Sequence, residues 1–271
     1  MQDEPESTDS LKAFGAVVKV FRERAGLTQE QLAPLVRYSI QTVASIEQGR
    51  RLPPKDFIDR AEEALDAFNV LRAAAKHLSR QPGLAAWFRQ WAELEQTAVA
   101  LNTYECRVIP GLLQTEAYAR AVTLNVPPPP TEEQVEQRVA ARLARQELLH
   151  REPLIAFSFI IEQAVIERFT GGTEVTRGLI DNLLTCAELV NVELQIMPLR
   201  QPDHAGTDGS MQLLETPEHI WLGYSEGQKT GQLISNPDDV SVLKMRYAKL
   251  RSQALTPEDS VSLVKRIRGA L

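Results

Sequence analysis

Hydrogen-bonding and basic side chains cluster between Thr28 and Arg51. Gln41 and Ser45 are four residues apart, so on a helix they lie on the same face. A glutamine amide can form two hydrogen bonds with the edge of an adenine in the DNA major groove. Arg50 and Arg51 come just after the helix that carries Gln41 and Ser45 and can neutralise phosphates. These residue types at this spacing predict contact with double-stranded DNA.

Two short helical patterns must position these side chains. Thr28 and Ser39 are each suitable N-caps, because a side-chain oxygen there can accept a hydrogen bond from a backbone N–H of the first helical turn. The apolar positions expected to point inward are Leu32, Ala33 and Val36 in the first pattern and Val43 and Ile46 in the second. The two patterns predict a helix-turn-helix whose second helix enters the major groove.

Further helices are predicted on both sides of this pair. Apolar residues fall on one face of a preceding helix at Leu11, Phe14, Val18, Phe21 and Ala25, and of a following one at Phe57, Ile58, Ala61, Leu65 and Phe68. The expected domain is an all-α bundle of four or five helices. Residues 19–55 carry seven basic and three acidic residues, although the whole chain of 271 residues has a net charge of −6. The local basic patch suits phosphate contact, and the overall charge argues against indiscriminate coating of nucleic acid.

The run R-x-x-A-G-L-T-Q-E-Q-L-A, from Arg22 to Ala33, is followed by I-E-Q-G-R-R-x-P, from Ile46 to Pro53. Together these runs resemble the XRE family of helix-turn-helix regulators, which is similar to the phage repressor and Cro domains, over about residues 11–68. The resemblance implies a buried ion pair between Arg22 and Glu47. It also implies that Gln29 holds a phosphate and that Ile40, Gln41 and Ser45, with Thr42 beside them, contact bases.

The chain departs from the family pattern at two positions. Arg37 stands where the family usually has a glycine in the turn, and Pro34 lies inside the helix before it. These departures suggest a reshaped turn and a phosphate contact by Arg37. The DNA-contacting residues predicted in total are Gln29, Arg37, Ser39, Ile40, Gln41, Thr42, Ser45, Arg50 and Arg51.

The chain length predicts two domains. The expected divisions are a disordered tail (1–10), the helix-turn-helix domain (11–72), a linker or helix (73–85) and a C-terminal domain (86–271). A break at Gln81-Pro82-Gly83 sets the boundary. In the last part, helical patterns alternate with short β-rich runs, which predicts an α+β fold with a small mixed sheet of about four or five strands. Trp87, Trp91 and Leu94 form an apolar stripe that suits core packing or, alternatively, a dimer contact.

Three motifs in this C-terminal part carry a second resemblance. They are I-P-G-L-L-Q-T-E-A-Y-A-R (109–120), R-V-A-A-R-L-x-R-Q (138–146) and N-V-x-L-Q-x-M-P (191–198). They resemble the WhiJ-like or antitoxin-like C-terminal domain that follows an XRE module in many actinobacterial, Streptomyces-type regulators. The resemblance covers about residues 86–271. It implies a transcriptional regulator, often encoded beside a small partner protein.

Polar residues in two of these motifs are candidates for binding a ligand or partner. The start of a helix offers N–H groups and hydroxyls to an anionic or polar ligand, and arginine grips a carboxylate or phosphate with two hydrogen bonds. Equally, these groups could cap and bridge helices inside the domain. The candidates are Gln114, Thr115, Tyr118, Arg120, Arg142, Arg145 and Gln146.

Other function classes are disfavoured by the sequence. The four histidines lack a metal-ligand spacing, and no nucleophile elbow, P-loop or dinucleotide fingerprint occurs. We therefore expect no enzyme activity, no metal and no cofactor. Two isolated cysteines, an acidic N-terminus and the lack of a long apolar run predict a cytoplasmic protein without a membrane span.

The expected function is that of a sequence-specific DNA-binding transcriptional regulator. A single module contacts only a short half-site, so we expect a homodimer on an inverted-repeat operator. The C-terminal domain is expected to support dimerisation and to control activity through a small-molecule effector or a small protein encoded nearby. The alternative is an antitoxin-like protein that sequesters a small partner and regulates its own operon.

Overall fold

The structure, a computed structural model, describes residues 9–75, 78, 88–227 and 230–271. It divides into two compact units, one before residue 81 and one from residue 81 onward. The predicted break at Gln81-Pro82-Gly83, most of the predicted linker 73–85 and the first eight residues of the predicted tail lie outside the described residues. None of the described helices is long and apolar enough to cross a membrane.

The described part of the N-terminal unit is built from α-helices. They are α1 (Asp9–Arg24), α2 (Gln29–Val36), α3 (Ile40–Glu47), α4 (Lys55–Ala64) and α5 (Val70–Ala75). Helix α1 begins inside the stretch 1–10 that we expected to be a disordered tail. The apolar stripes of these helices converge on one core that includes Phe14, Val18, Leu32, Val36, Val43, Ile46, Phe57 and Ala61.

Two glycines let α1 pack directly against α3. A Cβ atom at Gly15 would lie 2.4 Å from the carbonyl oxygens of Ile46 and Glu47. A Cβ atom at Gly49, whose φ is +70°, would lie 2.6 Å from the backbone nitrogen of Lys12. Both approaches are closer than any side chain permits, so glycine is required at each position.

Phe68 corrects the prediction of a fourth helix with an inward face up to that residue. Helix α4 ends at Ala64, and Phe68 is 70% exposed with a φ of 53°. The chain turns here because the Glu62 carboxylate accepts hydrogen bonds from the backbone N–H groups of Asn69 (2.5 Å) and Arg72 (2.9 Å). This buried carboxylate caps the start of α5, and helical periodicity contains no signal for such a cap.

The C-terminal unit combines helices with one sheet. Its helices are α6 (Arg89–Glu95), α7 (Glu116–Leu124), α8 (Glu132–Arg145), α9 (Gln163–Ile166), α10 (Thr173–Cys186), α11 (Pro237–Gln253) and α12 (Pro257–Gly269). Its strands are β1 (Ala100–Glu105), β2 (Ala156–Glu162), β3 (Val192–Met197), β4 (Met211–Glu215), β5 (Trp221–Glu226) and β6 (Gly231–Ile234). Short 3₁₀ turns at Gly111–Leu113 and Gln146–His150 flank α7 and α8.

The sheet is mixed, with strand order β3-β2-β1-β4-β5-β6. Strands β1, β2 and β3 run parallel, while β4, β5 and β6 join antiparallel. The predicted fold class, an all-α helix-turn-helix bundle followed by an α+β domain, is confirmed. In the described part of the chain the sheet has six strands rather than four or five, because the sequence interpretation missed β6, a four-residue edge strand too short to show a clear alternation.

Each face of the sheet is covered by helices. Phe157, Phe159 and Ile161 of β2 face the core that contains Leu179 and Leu183 of α10. On the opposite face, Tyr104, Ile160, Met197 and Leu213 pack against Val240, Tyr247 and Leu250 of α11. Trp91 is fully buried and stacks on Tyr224 at 5.2 Å between ring centres, so its predicted packing role holds, whereas Trp87 lies outside the described residues.

Candidate functional site

The corner between α2 and α3 forms as a tight turn. Thr28 caps α2 in a reciprocal capping box with Gln31, and the Ser39 hydroxyl accepts a 3.2 Å hydrogen bond from the backbone N–H of Thr42. Arg37 adopts the left-handed conformation at φ 59° and ψ 42°. The turn therefore keeps the geometry that a glycine would adopt, at a cost of about 1–2 kcal/mol, and is not reshaped.

A buried ion pair joins α1 to the end of α3. Arg22 Nε donates to Glu47 Oε1 at 2.6 Å, and Nη2 donates to Oε2 at 3.0 Å. Arg22 Nη1 also donates to the Leu27 carbonyl at 2.8 Å, which holds the connection into α2. The hydrogen bond that Arg22 donates to Glu47 raises the pKa of the Arg22 guanidinium, which therefore carries its charge at neutral pH. Through these contacts Arg22 joins α1 to the end of α3 and to the connection that precedes α2.

Gln29 lies next to this pair. Its side-chain Nε2 donates a 2.7 Å hydrogen bond to Glu47 Oε2. The phosphate contact that the family resemblance implies for this side chain therefore competes with a bond to a buried carboxylate. Reaching a phosphate through Nε2 requires Gln29 to leave Glu47.

The outer face of α3 presents a small set of side chains. Ile40 is 45% exposed, Gln41 is exposed and Ser45 is half-buried. Thr42 corrects the sequence interpretation, because it is buried rather than outward-facing. Its hydroxyl contacts Ser39 Oγ at 2.9 Å and accepts a 3.2 Å hydrogen bond from Arg51 Nη1. The Thr42 hydroxyl is thus engaged with Ser39 and Arg51.

Basic residues border this face on both sides. Arg37 is exposed in the turn, and Arg50 and Arg51 are exposed directly after the helix. Ser39 is exposed as a residue, although its hydroxyl is engaged in the cap. The surface formed by Arg37, Ile40, Gln41, Ser45, Arg50 and Arg51 is called the α3 surface below.

Most of the C-terminal candidates make internal contacts. Thr115 caps α7, the Tyr118 hydroxyl accepts from the Ile109 N–H at 3.2 Å, and Arg120 pairs with Glu136 on α8. Gln146 donates to the carbonyls of Gly111 (3.2 Å) and Gln114 (2.5 Å). These four residues cap or bridge elements inside the domain, as the structural alternative expected, and they are not among the residues that line the cavity described next.

The other three candidates, Gln114, Arg142 and Arg145, line a cavity of about 170 Å³ in the C-terminal unit. Sequence reasoning missed the acidic and amide groups that share it, which are Glu95, Glu105, Gln212 and Glu226. Leu101, Thr103 and Glu105 alternate along β1 and all line this cavity. The sequence signal that could have indicated this cavity is the pair Thr103 and Glu105, two polar residues on one face of a buried strand. Among the described residues, in this cavity or outside it, no group of His, Cys, Asp and Glu is arranged to hold a metal.

Glu105 makes the stability of the C-terminal unit depend on pH. Burial raises the pKa of its carboxyl to about 7, and the charges facing it are Arg107, which lowers the pKa, and Glu226, which raises it. A carboxyl with a raised pKa stabilises the fold at acidic pH, and this stability is lost as pH rises through the folded-state pKa. Between about pH 4.5 and 7 the expected loss in the free energy of unfolding is about 3 kcal/mol, from 1.36 kcal/mol for each pKa unit.

We expect the Glu105→Gln variant to lack this dependence. Its free energy of unfolding, measured by urea titration at several pH values, should fall less than that of the wild type as pH rises. All three tryptophans occur after residue 80, so tryptophan fluorescence follows the C-terminal unit. Parallel pH profiles for the two proteins would contradict the assignment. The Glu136→Gln variant, which alters an exposed carboxylate, is the control.

Two families of known proteins match the chain, and each match lies within one of the two compact units. Residues 13–75 match the family described as Helix-turn-helix domain. Residues 88–266 match the family described as Domain of unknown function (DUF5753). No curated protein matches the chain. Among solved structures, the crystal structure of the clp gene regulator ClgR from C. glutamicum is similar at 28% identity and a TM-score of 0.23, covering 27% of this chain and 99% of that chain.

The helix-turn-helix prediction is confirmed by the match over residues 13–75. This domain supports DNA-binding transcription regulation as the class of function. The second match covers most of the remaining residues and more than half of the whole chain. The chain therefore belongs to the family defined by the domain of unknown function DUF5753, which it joins to an N-terminal helix-turn-helix domain.

Proposed function

We propose that this protein is a sequence-specific transcriptional regulator that contacts DNA through the α3 surface. The main support is the exposed face of α3, which combines Gln41 and Ile40 with flanking arginines. A buried ion pair holds this helix in place. A rigid helix with exposed polar side chains is what major-groove contact requires.

Each part of the α3 surface makes a different kind of contact with DNA. Gln41 forms two hydrogen bonds with an adenine, and Ile40 packs against a thymine methyl group. Ser45 donates to or accepts from a neighbouring base edge. Arg37, Arg50 and Arg51 bind phosphates, which positions the helix without selecting a sequence.

We further propose that two copies act together on an inverted repeat. One helix contacts a few base pairs only, and two-fold pairing doubles the contacted sequence. In this proposal the C-terminal unit serves dimerisation and control of DNA binding and performs no catalysis. The cavity around Gln114, Arg142 and Arg145 supports a small ligand as the controlling signal.

Replacing Gln41 with alanine tests the proposal. After an operator has been selected from a random DNA library, the variant should bind it more weakly by about 1–3 kcal/mol, because two base hydrogen bonds are lost. Affinity for unrelated DNA should stay the same. Arg50→Ala should instead weaken binding to all sequences alike and reduce the salt slope by about one. Fluorescence anisotropy at several salt concentrations measures both effects.

The matched control is Gln232→Ala, the same substitution at an exposed position of β6. It should bind the operator as the wild type does. Full sequence preference in the Gln41→Ala protein would show that α3 is docked differently. A selected operator with a single half-site, bound by one copy of the chain, would refute the dimeric arrangement.

A further inference from the structure

The cavity of the C-terminal unit has the size of a small metabolite. Its volume of about 170 Å³ is close to that of a protein cavity of about 150 Å³ that holds benzene. It lies over the β1 face that carries Thr103 and Glu105 and is bounded by Arg142 and Arg145 of α8. Apolar groups such as Leu101, Ile109 and Phe159 form the rest of the wall. This combination suits a ligand of roughly six to ten non-hydrogen atoms with an apolar body.

One pair of charges in the wall is already satisfied. Arg145 donates from Nε and Nη2 to Glu95 at 2.9 and 2.8 Å, and its guanidinium stacks over the Phe88 ring at 4.4 Å. Trp91 Nε1 adds a 3.0 Å hydrogen bond to Glu95. Arg145 is therefore a fixed part of the wall and not the group that grips a ligand.

Glu105 has an unsatisfied oxygen. The residue is 8% exposed, and its Oε2 atom is buried without a hydrogen-bond partner among the described residues. Its Oε1 lies 3.8 Å from Arg107 Nη2, which exceeds hydrogen-bond distance. The Arg107 guanidinium is directed elsewhere, to Ser210 Oγ at 2.6 Å and to the Glu226 carbonyl at 2.9 Å. A buried carboxyl oxygen of this kind is completed by an N–H donor, best by an ammonium.

Arg142 presents the complementary group. Its Nη1 donates three long hydrogen bonds of 3.4 Å to uncharged acceptors, namely Gln114 Oε1, the Ala119 carbonyl and Thr123 Oγ1. No carboxylate in the described part of the chain forms an ion pair with it within 4.0 Å. Burial lowers the pKa of its guanidinium, and an anion beside it would offset this cost of burying the positive charge. A ligand carboxylate would supply two short hydrogen bonds in place of three long ones.

We propose that this cavity binds a small amino-carboxylate, with its ammonium group on Glu105 and its carboxylate on Arg142. A ligand with one charge only would leave one of these two wall groups uncompensated, which disfavours simple amines and simple acids alike. The proposal rests on the proposed control of DNA binding by the C-terminal unit and names the ligand class for it.

The experiment screens the full-length protein with glycine, alanine, valine, leucine, methionine and γ-aminobutyrate by tryptophan-fluorescence melting, followed by calorimetric titration. At least one of them should bind with a Kd of about 1 mM or tighter. Isoamylamine and isocaproate, which are leucine without its carboxylate and without its amine, should bind at least about tenfold more weakly. Glu105→Gln and Arg142→Met should each weaken binding by about tenfold or more. Arg142→Lys, which keeps the positive charge, should lose less affinity than Arg142→Met and provides a second variant if that one unfolds.

Several results would overturn the inference. These are the absence of binding by every amino-carboxylate of the panel, equal binding of the amine or acid alone, or unchanged affinity in the folded Glu105→Gln and Arg142→Lys variants. Glu136→Gln, on the outer face of α8, should bind the ligand as the wild type does. Operator binding is measured separately. Specific operator binding without any amino-carboxylate binding would refute the ligand site but not the proposed DNA binding. Ligand binding that never alters operator affinity would support the ligand site and refute its regulatory role.

Discussion

Replacing Arg22 with alanine is expected to lower the free energy of unfolding of the helix-turn-helix unit by about 3–5 kcal/mol. The Glu47 carboxylate is buried, and the substitution removes two of its hydrogen bonds, at 2.6 and 3.0 Å. Gln29 alone, at 2.7 Å, cannot compensate a buried negative charge. Leu27 also loses the donor to its carbonyl, so the connection from α1 to α2 is loosened.

Two spectroscopic signals separate this unit from the rest of the chain. Far-ultraviolet circular dichroism follows all helices, whereas the tryptophans report only on the unit after residue 80. We expect the variant to lose part of its helical signal at lower temperature while the fluorescence transition stays in place. Lys19→Ala is the control, because its side chain is 56% exposed and pairs with Glu23 only at 3.9 Å.

A double variant separates the stranded charge from the loss of packing. Arg22→Met combined with Glu47→Leu removes both charges and keeps apolar volume, and such replacements of buried ion pairs are often neutral. It should recover most of the stability that Arg22→Ala loses. If Arg22→Ala melted like the wild type, the ion pair would have no stabilising role.

Replacing Arg145 with alanine is expected to destabilise the C-terminal unit by a similar amount, about 3–5 kcal/mol at neutral pH. Glu95 is fully buried, and Arg145 provides its only charge-bearing partner among the described residues. Burial raises the pKa of the Glu95 carboxyl, while the bonds from Arg145 and Trp91 oppose this rise. Without Arg145 the carboxyl takes up a proton, so the deficit should be smaller at acidic pH and grow as pH increases.

Urea titration followed by tryptophan fluorescence measures this deficit at about pH 5.5 and 8. The control is Arg120→Ala, which removes an exposed ion pair with Glu136 and should change stability far less. A double variant, Glu95→Met with Arg145→Met, should be more stable than Arg145→Ala, because it leaves no buried carboxyl without its partner. Trp91 keeps its second acceptor, Gln212 Oε1, at 3.0 Å in the double variant. A deficit that is equal at both pH values would contradict a stranded carboxyl.

Local sequence signals determined most of the helix-turn-helix unit. Thr28 and Ser39 cap their helices as predicted, and the apolar residues spaced along α2 and α3 reach the core. These features depend on interactions within a few residues, which is why the sequence displays them. The exceptions are Thr42 and Phe68, whose burial and exposure depend on Arg51 and Glu62, partners nine and six residues away.

In the C-terminal unit the sequence indicated the helices and most strands but not the purpose of its polar residues. Thr115, Tyr118, Arg120 and Gln146 belong to the same motifs as Gln114, Arg142 and Arg145, yet only the latter three reach the cavity. The other polar wall groups come from α6, β1, β4 and β5. Glu95 and Arg145 are separated by 50 residues, and Trp91 and Gln212 by 121.

By itself, the sequence determined that this chain has a helix-turn-helix unit, an α+β unit and a face of α3 suited to DNA, because capping, periodicity and local charge act at short range. Only the tertiary structure decided which charges are buried together. The pairing of Glu95 with Arg145 and the burial of Glu105 with one carboxyl oxygen lacking a hydrogen-bond partner depend on strand order and helix packing. Burial then sets the energy of each charge, and burial is a property of the assembled fold.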